Sequence, residues 1–297
     1  MPQMDREPPA MPWSDSTGAS TFEQMAFWGC LEGVTVAERH ELLPGFFVEP
    51  CYGTVFAHPI LAVKPPPRIG EAHPAPWFAC RGGHRSIEVR CQLHYPAVTQ
   101  PFYESRVASA WLATAALRLL LCAPIRLAVL SDFSFVALSD RRGAEPTLIS
   151  MEQARLYTIT SEIEVTRFMS EWISLLSDLI VAMKDERFRH AFSFFDTAWW
   201  VGSGAAFLVA LWTSLEALLL DPNTVGIKRA LAARISELLA TSSSERDRIF
   251  SKVLDLYRTR CDSAHGALHP DLAPVQDSAR IAGAVFLAKA GAAIGKK

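Results

Sequence analysis

The sequence predicts an α+β region followed by an all-α helical bundle. Short apolar runs broken by proline and glycine fill the first half, long helical periods fill the second, and the change of character falls near residue 150. With 297 residues, half of them apolar, the chain can bury a sizeable core. Its 29 basic and 31 acidic residues leave a formal charge of −2, which excludes a chain that is basic throughout, so any nucleic-acid site must be local.

Residues 1–25 read as a disordered tail, rich in proline, serine and acidic side chains and without the basic start and apolar run of a signal peptide. Residues 26–150 form the α+β domain, of unknown role and a candidate sensor. Within it, residues 86–95 (SIEVRCQLHY) alternate as a strand does, residues 125–138 (IRLAVLSDFSFVAL) form a second strand, and residues 103–122 form a helix. The proline-rich stretch 64–76 is a loop, because proline can feed neither a ladder nor a helix interior. CRGGH at residues 80–84 lacks the lysine and hydroxyl of a phosphate-binding loop and reads as a turn between strands.

Residues 151–297 form the helical domain, with helices expected over 162–184, 187–200, 205–220, 227–240, 245–263 and 272–294. Residues 202–220 (GSGAAFLVALWTSLEALLL) are long enough to cross a bilayer, but Glu216 inside them is costly in lipid. The stretch is expected to be a buried central helix, with no membrane association. Six scattered cysteines without a C-x-x-C pair read as reduced cytosolic thiols, and a cytoplasmic protein is expected.

Chemistry concentrates in residues 255–269, DLYRTRCDSAHGALH. Tyr257 and Arg260 are followed by four residues, then His265 and Gly266. Upstream stand Leu215-Glu216-Ala217-Leu218 in the apolar helix and a basic helix over 228–234. In this order and spacing the chain resembles the HEPN superfamily, and within it the Apea-like group, over roughly residues 162–294. The resemblance implies a HEPN-like bundle and a metal-independent endoribonuclease of the toxin or antiviral-defence kind, commonly a homodimer. His265 would act as base or acid and Arg260 as phosphate clamp, with Tyr257 and Glu216 in support.

The residue types fit that chemistry on their own terms. Arginine offers phosphate oxygens a planar fork of donors, and histidine exchanges a proton near neutral pH. In RNA the 2′-hydroxyl is a built-in nucleophile, so a base and a cation for the developing phosphorane charge suffice, with no metal or other cofactor. Asp262, three residues before His265, can share its helical face and hold the imidazole. On an unbroken helix Arg260 and His265 stand about 140° apart, whereas Arg258 falls within about 20° of His265. Arg258 is therefore the reserve for the clamp.

Between residues 225 and 260 eight basic residues face four acidic ones, and Lys228, Arg229, Arg234, Lys252 and Arg258 are the candidates for RNA contact. Cys261 follows Arg260 where the family usually has Asn, Asp, His or Ser, and this keeps a second reading open: a non-catalytic RNA-binding or dimerisation module. The small residues of 272–294 suggest either a dimer face or an intramolecular packing face. His265 and His269 also form H-x-x-x-H, but Gly266 and Pro270 interrupt the helix a metal pair would need, and no metal is expected.

Overall fold

A computed structural model describes residues 22–57, 60–63, 78–81, 85–137, 148–150, 162–201, 203–264 and 271–294. An antiparallel sheet comes first and a set of helices follows. Ten strands are present among these residues: β1 (Phe27–Glu32), β2 (Val34–Thr35), β3 (His40–Leu43), β4 (Phe46–Ala57), β5 (Ile60–Val63), β6 (Phe78–Arg81), β7 (Arg85–Tyr95), β8 (Arg126–Ser131), β9 (Leu148–Ser150) and β10 (Ile163–Glu164). Six of them form a sheet in the order β3-β4-β7-β1-β8-β9, in which each neighbouring pair is antiparallel. β5 and β6 form a separate hairpin. Gly45, with φ +76°, turns the chain between β3 and β4 in a conformation that glycine adopts without cost.

Alternation sorts the sheet into two faces. Phe27, Leu31, Phe46, Val48, Cys91, Leu93 and Tyr95 join the main core, whereas Trp28, Cys30 and Cys51 pack with Phe135 in a smaller cluster. Helix α1 (Arg106–Leu121) packs against β7 and β8 and also against the helices that follow. It is apolar on every side because every side is covered: Trp111, Leu112, Ala113, Ala115, Ala116 and Leu117 are all buried. Its start is fixed three times over. Ser105 accepts from the Ala108 amide, and the Glu23 carboxylate accepts from the amides of Arg106 and Val107.

The remaining helices are α2 (Met169–Ala182), α3 (Glu186–Ala198), α4 (Gly204–Leu219), α5 (Ile227–Leu239), α6 (Ser243–Ala264) and α7 (Leu272–Ile294). One continuous apolar core runs from the sheet through α1 into these helices. The Trp172 indole of α2 donates to the Ala113 carbonyl of α1 at 2.8 Å. A buried ion pair makes a second tie. Arg118 of α1 reaches Asp196 of α3 at 2.8 Å and donates to the Ile125 carbonyl at 2.7 Å, while the Trp111 indole donates to the other Asp196 oxygen at 3.0 Å.

Three expectations need correction. Residues 22–25 are not tail, since Phe22 is fully buried and Glu23 caps α1; residues 1–21 lie outside the described residues. The helix expected from 162 starts at Met169, because Ile163 and Glu164 pair in parallel with Val34 and Thr35. Backbone bonds from Ile163 to Gly33 and from Val165 to Thr35 hold that segment extended, and tertiary pairing overrides helical propensity there. The strand expected over 125–138 ends at Ser131. Ser131 Oγ accepts from the Phe133 amide and the Gln92 side chain from the Phe135 amide, so the chain leaves the ladder and Phe135 packs on the sheet face that carries Cys30 and Cys51.

No helix among the described residues is long and apolar enough to cross a membrane. The central apolar stretch is α4, whose Phe207, Leu208, Leu211, Trp212 and Leu215 are buried among the other helices. In α7, Ala279, Ala282 and Ala290 are buried within the chain, and Gly283 faces Leu119 and Cys122 at the end of α1. Ala279, Ala282, Gly283 and Ala290 therefore serve intramolecular packing, whereas Ala284 and Ala288 are half-buried.

Candidate functional site

Helices α4 and α6 bring Glu216, Tyr257 and Arg260 together. On α6 the buried positions are Val253, Leu256, Tyr257 and Ser263, and Arg260 follows the first three at spacings of seven, four and three and precedes the last by three, so it lies on their face. Arg258 is exposed on the other side. The helical geometry thus separates the two candidate arginines: Arg260 faces the α4 helix and Arg258 faces solvent.

The contacts within the trio share one oxygen. The Tyr257 hydroxyl donates to Glu216 Oε1 at 2.8 Å, and the Arg260 guanidinium stands 3.6 Å from the same atom. Arg260 also lies over the Tyr257 ring, 5.4 Å from its centroid, and that ring meets the Trp212 ring edge-on at 5.4 Å. Trp212 in turn donates to Ser278 of α7 at 3.3 Å. Arg260 keeps 21 % of its side chain exposed and its Nε, although buried, has no hydrogen-bond partner. A guanidinium held on one edge by a carboxylate and open on another can still offer donors to an anion.

An acidic residue inside an otherwise apolar helix requires a partner, and Arg260 is that partner. The trio is therefore complete as a structural device and also places a fixed cation near the end of α6. His265 and Gly266 follow Ala264, the last residue of α6, and lie outside the described residues, as does His269. Asp262 is exposed on the last turn of α6, and Cys261 is half-buried against the core.

Burial first, and the Glu216 carboxylate second, push the Tyr257 phenol up to about 12. A free tyrosine titrates near 10, so the folded value is the higher one. The stabilisation linked to Tyr257 is then complete below pH about 10 and is lost as pH rises through about 12. Tyr257→Phe is expected to cost about 1–2 kcal/mol at pH 8, for the lost bond to a carboxylate. Urea midpoints of the two proteins should converge between pH 10 and 12, whereas a constant gap across that range would assign the shift to other groups.

The remaining RNA-contact candidates do not gather on one face. Lys228 is half-buried, Arg229 and Arg234 are exposed, and the latter two stand about 140° apart around α5. Lys252 is paired with Asp277 of α7 at 2.7 Å. The structure instead groups Arg248 and Lys252 with Arg280, a residue of α7 that sequence reasoning missed because it lies about thirty positions further along. Nothing in the local pattern of α7 marks it.

On the sheet, His94 stacks on Trp28 with ring centroids 4.7 Å apart and also meets Phe47, over which Arg39 lies at 4.0 Å. Phe47, His94 and Trp28 are cross-strand partners on β4, β7 and β1, so this row is a ladder whose ring faces cover one another. The buried thiols of Cys30 and Cys91 are raised well above the usual range by burial, and that of Cys51 is pushed up to about 12, which makes them unreactive packing residues.

Compared with models of protein families, with curated proteins and with solved structures, the chain finds no match.

Proposed function

We propose that this protein is a metal-independent endoribonuclease of the HEPN type, in which the helical part cleaves RNA and the α+β part serves as a sensor. The observation that supports it best is the placement of Arg260. It faces inward between Tyr257 and Glu216, five residues before His265, and keeps 21 % of its side chain exposed near the end of α6. In this reading Glu216 and Tyr257 hold the guanidinium in place, Arg260 neutralises charge on the scissile phosphate, and His265 takes the 2′-hydroxyl proton. Asp262 orients His265.

RNA cleavage profits from a base at the 2′-oxygen and an acid at the leaving 5′-oxygen, and two copies of the site across a two-fold axis would supply both. The dimer surface would be one other than the face of α7 that carries Ala279, Ala282, Gly283 and Ala290, which the chain itself buries. The second reading, a non-catalytic RNA-binding or dimerisation module, draws on the same trio. Glu216, Tyr257 and Arg260 form a self-contained, half-buried cluster, and Cys261 stands beside them where the family usually has Asn, Asp, His or Ser.

Incubation of purified protein with single-stranded RNA in EDTA separates the two. The nuclease reading expects fragments, and expects Arg260→Ala to lower the rate by about 10²–10³. Arg258→Ala, at an exposed position, should instead weaken RNA binding and flatten its salt dependence. Intact RNA at high protein concentration, or the two phenotypes exchanged, would overturn the assignment of Arg260.

A further inference from the structure

Where α5, α6 and α7 meet, a cleft of about 350 Å³ opens on the helical part, its α6 residues about 12–18 Å along that helix from Arg260. Its floor is apolar. Leu239 of α5, Ile249 of α6 and Ile281 of α7 are half-buried, packed on the core by one side and open to the cleft by the other. Its rim is cationic: Arg248 and Lys252, one turn apart on α6, face Arg280 on α7. Asp277 is the lone acidic group of the lining, and it bridges Lys252 at 2.7 Å and Arg280 at 3.7 Å.

We propose that this cleft binds a small amphiphilic anion, with its charged head between Arg248 and Arg280 and its apolar body on Leu239, Ile249 and Ile281. Three cations stand against two carboxylates, Asp277 in the lining and Glu245 at 3.9 Å from Arg248, and leave a net positive rim. Arg248 and Arg280 keep 73 % and 71 % of their side chains exposed, so their donors are accessible to an anion that competes with Glu245 and Asp277 for them. A phosphodiester chain would satisfy the rim but leave the aliphatic floor in water. A neutral apolar molecule would cover the floor and leave the cations without a partner. A ligand with both an anionic head and a hydrocarbon body matches both parts.

The probe is decanoate, below its micelle concentration, measured by equilibrium dialysis against the full chain. One saturable site is expected, occupied at least tenfold more weakly by decanol. Arg248→Gln combined with Arg280→Gln should weaken decanoate about tenfold and leave the thermal melt unchanged, because both side chains are largely exposed. Asp277→Asn, by removing one competing carboxylate, should tighten binding severalfold. Absence of saturable binding, equal affinity for decanol, or undiminished affinity in the double variant would each overturn the proposal. So would displacement of decanoate by equimolar inorganic phosphate or by a short RNA, which would make the cleft a plain anion or nucleic-acid site.

Discussion

His265→Ala is expected to lower RNA cleavage by about 10²–10⁴, the usual worth of a positioned acid or base. It is the one histidine between Tyr257 and Gly266, and histidine is the side chain whose ordinary range suits proton exchange near neutral pH. Loss of cleavage with an unchanged circular dichroism melt and unchanged RNA affinity would mark a chemical role. Full activity in a folded variant would remove His265 from the mechanism and leave Arg260 as a binding group.

Asp196→Ala carries the largest expected effect on stability. Arg118 is completely buried, and Asp196 is its carboxylate partner and also the acceptor for the Trp111 indole. Truncating Asp196 leaves a charge stranded between α1 and α3, at a cost of about 3–5 kcal/mol. Urea denaturation followed by tryptophan fluorescence measures it. Replacing the pair together, with Arg118→Met and Asp196→Leu, should recover most of the loss, since buried ion pairs rarely outperform apolar residues of similar volume. A single variant as stable as the parent would mean that Arg118 finds another anion or water.

How much of this was legible in the sequence differs from element to element. Helix α7 runs from Leu272 to Ile294 as its apolar period predicts, and α4, α5 and α6 fall within two residues of their expected bounds. Helical periodicity is local, so a single segment contains the information. The extended segment at Ile163–Glu164 was not legible, because its partner Val34–Thr35 lies far away in the chain and nothing in either stretch advertises the other. The Arg118–Asp196 pair was hidden for the same reason, its members standing 78 positions apart.

The trio of the candidate site was partly legible. Glu216 announced itself as a carboxylate in an apolar helix, which implies a cationic partner, and Arg260 shares a face with Tyr257 by helical spacing. The cleft was invisible to such reasoning. Arg248 and Lys252 are ordinary surface residues until α7 brings Arg280 and Asp277 opposite them.

The most direct measurement of the nuclease reading is the chemistry of the product ends. An RNA oligomer and its 2′-deoxy counterpart are incubated with the protein in EDTA, and the termini are identified by mass spectrometry. Attack by the 2′-hydroxyl predicts 2′,3′-cyclic phosphate and 5′-hydroxyl ends from the RNA and no product from the deoxy strand. Cleavage of the deoxy strand, 5′-phosphate ends, or RNA left whole would contradict it.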